Sequence, residues 1–160
     1  MTSCLSLLLT SLLAAGDGGR TEADHHADVD HRGDQGMGFS HQRTEHHFTL
    51  TSDGGLISAS ALDPADAATR DSIRAHFGHI AKAFSSGDFE LPMFIHDQLP
   101  PGAATMQRLR KKISYRSENT ARGARVVIRT TDPEARTAIH SFLRFQISDH
   151  RTGDSPEVQP

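Results

Sequence analysis

A β-hairpin is predicted by the stretch Thr44-Glu-His-His-Phe-Thr-Leu-Thr, which continues as Ser52-Asp-Gly-Gly and then Leu56-Ile-Ser-Ala-Ser-Ala. Apolar and polar side chains alternate in its first part, which is the periodicity of a strand with one buried face. The turn glycines tolerate the positive φ that tight hairpins require. Asp63 and Pro64 then supply a helix N-cap and a first helical residue, and apolar residues follow at helical spacing. The stretch therefore predicts two strands and a helix.

The same pattern recurs in the second half of the chain. Lys112-Ile-Ser-Tyr-Arg and Ala124-Arg-Val-Val-Ile-Arg are joined by a turn and are followed by Asp132-Pro133. The predicted helices also end alike, at Gly87-Asp88 and at Gly153-Asp154. The sequence thus predicts an α+β fold of duplicated β-hairpin–helix (ββα) units, which form a four-stranded antiparallel sheet with helices packed on one face.

Composition changes along the 160-residue chain and divides it into four segments. Residues 1–16 contain an apolar run of the length of a signal-peptide core, so we predict a signal peptide and a periplasmic or secreted protein. Residues 17–38 are rich in Asp, His and Gly and have few apolar side chains, which predicts a disordered linker. Residues 39–154 are predicted to form a single α+β domain, and residues 155–160 a flexible tail.

Charge and cysteine content exclude several classes of protein. Cys4 is the only cysteine, so the chain has neither an intrachain disulfide nor a thiolate zinc site. The apolar run near the N-terminus is too short to span a bilayer as a helix, and we expect no transmembrane span. The net charge is −3, but the region from Arg108 to Arg129 is basic. Because this region contains only one aromatic residue, Tyr115, base stacking is poorly supported and no nucleic-acid partner is expected.

Eleven histidines in the chain predict a ligand site, and a divalent metal is the most concrete ligand. His76 and His79 lie three residues apart on a predicted helix, where their side chains can converge. Imidazole and carboxylate groups suit Zn²⁺, Cu²⁺ or Ni²⁺. The candidate metal ligands are His76, His79, His96, Asp97, His46 and His47. The alternative is that these histidines make local hydrogen bonds or are solvated.

Two other functions remain open from the sequence. Arg116, Arg125 and Arg129 are predicted on the uncovered sheet face, where they could bind an anion, an acidic protein partner or a second copy in a homodimer. His96 lies in a segment before two prolines and could act as the general base of a small hydrolase-like enzyme. No catalytic triad order, nucleophile elbow or phosphate-binding loop is present. We therefore assign no catalytic residue and favour a non-enzymatic protein.

Several phrases between about residues 30 and 154 resemble an uncharacterised bacterial family of small, exported proteins. The phrases are Met37-Gly-Phe-Ser, His46-His-Phe, Asp63-Pro, Thr69-Arg-Asp, Gly87-Asp-Phe, Pro100-Pro-Gly, Phe142-Leu-Arg-Phe-Gln-Ile, Asp149-His and Gly153-Asp. Because this family has no established activity, the resemblance implies no catalytic residues. It implies that the histidine-bearing phrases are family features, which favours an exported ligand-binding protein.

Overall fold

The computed structural model describes residues 21–160, in which five α-helices accompany a five-stranded sheet. The helices are α1 Glu22–Met37, α2 Ala67–Ser86, α3 Glu90–His96, α4 Ala103–Arg108 and α5 Pro133–Asp149. The strands are β1 Thr44–Thr51, β2 Gly54–Ala61, β3 Ile113–Asn119, β4 Gly123–Thr130 and β5 Val158–Gln159. None of these helices has the length and apolar character needed to cross a membrane. The predicted signal peptide, residues 1–16, lies outside the described residues.

The sheet has the strand order β3-β4-β2-β1-β5. The four long strands are antiparallel neighbours, as the hairpin patterns predict. The fifth strand, β5, pairs with β1 in parallel and makes the sheet mixed. It lies in the segment predicted as a flexible tail, and that prediction is wrong for Val158 and Gln159. Arg144 on α5 donates a hydrogen bond of 2.9 Å to the backbone oxygen of Pro156, which helps to hold the tail beside β1.

Both hairpins are followed by a helix, but each helix packs mainly on the strands of the other hairpin. Helix α2 follows β2 and contacts β3 and β4, whereas α5 follows β4 and lies chiefly on β1 and β2. The predicted duplication is matched only as a hairpin followed by a long helix, because α3 and α4 have no equivalent after α5. The buried side chains between sheet and helices include Phe48, Leu50, Ile57, Val126, Ile128, Ile73, Phe77, Phe84, Ile139, Phe142 and Leu143.

Strand alternation also determines the uncovered sheet face. The register pairs His47 with Ser58 and Ser58 with Arg125, so these three side chains share a face. This face carries the side chains predicted for it, namely His47, Thr49, Thr51, Arg116, Arg125, Val127 and Arg129.

The helix caps are confirmed at α5 and displaced at α2. Asp132 accepts hydrogen bonds from the backbone nitrogens of Glu134 and Ala135 at 3.0 Å, with Pro133 as the first helical residue. The predicted cap at Asp63 is wrong, because α2 begins at Ala67. Its N-cap is Asp66, whose carboxylate accepts from the backbone nitrogen of Thr69.

Residues 22–37 form helix α1, so the prediction of a disordered linker over 17–38 is wrong in that range. The side chain and backbone of Thr21 and Asp24 form a capping box at its start. Few of its side chains are buried, and polar contacts hold it to the rest of the fold. One of these is a hydrogen bond of 2.7 Å from Arg32 Nε to the backbone oxygen of Ile95. Composition does not predict this helix, because the residues that hold it in place are distant in sequence.

Two glycines test the backbone of the fold. Gly102 precedes α4 with a φ of +85°, and a Cβ there would lie 2.1 Å from the carbonyl oxygen of Ala138. We expect Gly102→Ala to lower the free energy of unfolding by about 1–3 kcal/mol, because the positive φ and the clash both oppose a side chain.

Gly78 lies within α2 and an added Cβ would have nothing within 4 Å. Gly78→Ala is therefore expected to raise that free energy by about 0.5–1 kcal/mol. Urea unfolding of both variants measures the difference, and equal stabilities would contradict this backbone geometry.

Candidate functional site

A cavity of about 90 Å³ lies between the helical face of the sheet and helices α1, α2, α3 and α5. Its wall is mostly apolar, and five histidines also line it: His41, His46, His76, His96 and His150. A cavity of about 150 Å³ in another protein holds one benzene molecule. The cavity described here therefore suits a molecule of only a few non-hydrogen atoms. Because five imidazole rings line this one small cavity, the cavity is the candidate site.

Burial keeps three of these rings uncharged. Desolvation lowers the pKa of His46 and of His76 to about 4 each, and that of His150 to about 3. Neighbouring histidines lower the values further, His76 acting on His46 and His46 on His150. At neutral pH each of the three rings is therefore a neutral imidazole with one nitrogen lone pair.

Aromatic neighbours fix the orientation of the same three rings. His46 stacks on Phe39 with a centroid distance of 5.9 Å, and His76 meets the edge of Phe39 at 5.6 Å. His150 stacks on Phe48 at 5.8 Å. Within residues 21–160, His46 Nε2 is buried and has no hydrogen-bond partner. A ring held in this way can direct its nitrogen towards a bound molecule without first losing rotamer freedom.

His96, at the end of α3, lines the cavity and belongs to a hydrogen-bonded network. The residue is 2% exposed; its Nδ1 is 2.5 Å from Asp149 Oδ2, and its Nε2 is 3.0 Å from Gln146 Oε1. Asp149 also accepts from His25 Nε2 on α1 at 2.9 Å. Burial raises the pKa of Asp149, but the hydrogen bonds from His25 and His96 outweigh it and hold that pKa below its ordinary value. The network joins α1, α3 and α5.

The surroundings of His96 bear on the hydrolase-like hypothesis. A buried histidine beside a carboxylate and next to a cavity is an arrangement that general-base catalysis uses. Here, however, Asp149 and Gln146 occupy both ring nitrogens of His96. No nitrogen is left in this arrangement to accept a proton from a substrate, so the geometry does not favour His96 as a base.

The structure brings three of the six predicted metal ligands to the cavity wall, namely His46, His76 and His96. The other three do not line it. His47 lies on the uncovered sheet face with its Nδ1 2.9 Å from Asp154 Oδ1, while His79 and Asp97 are exposed. In the described part of the chain, no three His, Cys, Asp or Glu side chains are grouped so that they could hold a metal ion. The predicted Zn²⁺, Cu²⁺ or Ni²⁺ centre is thus without structural support.

Sequence reasoning did not select His41, Gln146 and His150, which also line the cavity. A signal for two of them was present in the predicted α5 stripe. Gln146 lies four residues after Phe142, and His150 three residues after Ile147, so both continue the buried face of that helix. For His41 we find no comparable signal, because it lies in a short turn before β1.

The three arginines predicted to bind an anion or a partner are ion-paired with acids on the same chain. Arg125 Nη2 lies 2.7 Å from Glu118 Oε2, and Arg116 pairs with the other oxygen of Glu118. Arg129 Nε lies 3.3 Å from Asp53 Oδ2. These pairs offset much of the positive charge of the face, so they do not favour anion binding there. An interaction with a partner stays a prediction.

Comparisons with protein-family models, with curated proteins and with solved structures found no match to this chain. The resemblance of its sequence phrases to a bacterial family therefore stays a prediction. The site has to be interpreted from its own chemistry.

We expect the protein to lose stability between pH 6.5 and about 3, because the pKa is lowered from 6.5 to about 4 for His46 and His76 and to about 3 for His150 in the folded state. As the pH falls through this window, the unfolded chain binds protons that the folded chain does not, so the free energy of unfolding decreases. Each ring contributes up to about 1.4 kcal/mol per pH unit. Urea unfolding at several pH values measures this slope.

His76→Gln should reduce the slope of the free energy of unfolding against pH by roughly one proton equivalent, since it removes one of the three rings. His79→Gln is the matched control, because His79 is exposed one turn further along the same helix. Equal slopes for the two variants would contradict the assignment of the pH dependence to the cavity.

Proposed function

We propose that the protein binds a small, uncharged organic molecule in the histidine-lined cavity. The observation that supports this most directly is a mostly apolar hollow of about 90 Å³ with three neutral imidazoles in its wall. Small-molecule sites typically combine an apolar lining with a few polar groups that orient the ligand. Here the walls would exclude water from the ligand, while the rings would select its orientation.

The charges around the cavity support a neutral ligand. Within residues 21–160 its wall contains no Lys or Arg, and Asp30 is its only carboxylate. The side chain of Asp30 is 44% exposed, so it lies towards solvent. A charged ligand would lose its hydration without gaining a buried counter-charge, which is strongly unfavourable. A neutral molecule avoids that penalty and still contacts the apolar wall.

A divalent metal bound through histidines is the competing ligand. Neutral imidazoles at pH 7 are suitable ligands for Cu²⁺, Zn²⁺ or Ni²⁺, because no proton has to be displaced. Against this, the described residues offer no grouping of three ligands. Binding of an organic molecule by an exported, non-enzymatic protein is therefore the function that we propose, and metal binding is an outcome that the experiment distinguishes.

Methyl and amide NMR spectra of the full chain, titrated with xenon, acetone and isobutene, test this function. We expect saturable shifts confined to residues that line the cavity. Val29 is 1% exposed and lies in the cavity wall. Val29→Phe should weaken binding by about tenfold or more, because the larger side chain fills the space that the probe occupies.

Leu99→Phe is the matched control, because Leu99 is 50% exposed and lies outside the cavity wall. It should leave all probe affinities unchanged. The absence of saturable shifts with every probe would contradict the proposed function. Saturable binding of Cu²⁺, Zn²⁺ or Ni²⁺ tighter than about 10 µM, lost in His46→Gln and His76→Gln, would favour the metal instead.

A further inference from the structure

Gln146 lines the cavity and has a buried polar group without a hydrogen-bond partner among the described residues. The residue is 5% exposed, lies on α5 and forms part of the cavity wall. Its Oε1 lies 3.0 Å from His96 Nε2. Its Nε2 is buried and has no hydrogen-bond partner among residues 21–160. Buried polar groups are almost always paired in native proteins, so an unpaired amide at a cavity indicates a missing partner.

The amide of Gln146 is held in this orientation by the residues behind it. His96 Nδ1 lies 2.5 Å from Asp149 Oδ2, and a carboxylate only accepts hydrogen bonds, so His96 donates there. On the other side of the ring, Nε2 lies 3.0 Å from Gln146 Oε1, an arrangement in which the ring nitrogen donates and the amide oxygen accepts. With its oxygen engaged in this way, Gln146 has only its NH₂ group left for a ligand.

A second unpaired nitrogen lies in the wall of the same cavity. His46 Nε2, on β1, is buried and has no partner in the described part of the chain. A neutral imidazole donates or accepts at this atom according to its tautomer, so His46 adapts to the group that it meets. Gln146 cannot adapt in the same way while His96 holds its oxygen. The fixed amide of Gln146, rather than the adaptable ring of His46, therefore determines that the preferred ligand accepts a hydrogen bond.

From this geometry we infer that the ligand is a small carbonyl compound whose oxygen accepts a hydrogen bond from Gln146 Nε2. The inference rests on the proposed function, since it names the chemical class of molecule bound in that cavity. The class comprises ketones, aldehydes, esters and amides of up to roughly four non-hydrogen atoms, which is the size that the volume admits. Gln146 is then the residue that determines specificity, and His96 and Asp149 are the residues that position it.

Two probes of almost the same shape test the inference, acetone and isobutene, which differ in having an oxygen or a CH₂ group on the central carbon. NMR titration of the full chain should show that the ketone binds at least about tenfold more tightly, because only its oxygen satisfies the buried amide. Gln146→Leu should abolish that preference and leave the affinity for the alkene equal or higher. Gln98→Leu is the matched control at an exposed position, and it should keep the preference.

The protonation of His96 provides a second readout that does not depend on a ligand. In ¹⁵N NMR spectra at pH 7, Nε2 of His96 should carry a proton, and Asp149→Asn should change that signature and reduce the ketone preference. If His96 Nε2 carries no proton and propan-2-ol binds more tightly than acetone, the amide of Gln146 is reversed and the inference is overturned. Equal binding of ketone and alkene overturns it too, while leaving the proposed function intact. If neither these probes nor xenon bind, the proposed function itself fails.

Discussion

The carboxylate of Asp149 is the constraint on which the helical layer of this protein depends. It accepts from His25 on α1 and from His96 on α3, while its own backbone oxygen accepts from His26 Nδ1 at 3.1 Å. Apolar packing contributes little to the position of α1, whose only buried residues in the described structure are His26, Val29 and Gly33. A partly buried, charge-assisted network therefore closes one wall of the cavity.

The cavity by itself lowers the stability of the fold, and for this reason it indicates a function. Protein interiors are close-packed, and a hollow forfeits the contacts that its lining would otherwise make. Its wall also contains buried imidazoles and an amide that has no hydrogen-bond partner within residues 21–160, which a purely structural core avoids. The aromatic contacts of Phe39 and Phe48 hold His46, His76 and His150 at its wall. A bound molecule would restore both the contacts and the hydrogen bonds.

Much of the central architecture could be predicted because its signals are local. Alternation in β1 and β4, the cap at Asp132 and the helical stripes identify the four long strands and the helices α2 and α5, but they do not identify α3. The site was predicted less well. His46, His76 and His96 were selected for a metal, and they do meet at one cavity. Their spacing could not show that His79 faces away from it, nor that Phe39 would stack against His46 and His76.

By itself, the sequence determined the two hairpins, the helix that follows each of them and the uncovered face of the sheet, because these follow from periodicity over a few residues. Only the tertiary structure decided that α1 is ordered, that each long helix packs chiefly on the other hairpin, and that Gln146 and His150 reach the cavity beside His96. These features depend on contacts between residues far apart in the chain. The burial and hydrogen bonding that set the chemistry of the site arise only when those segments meet.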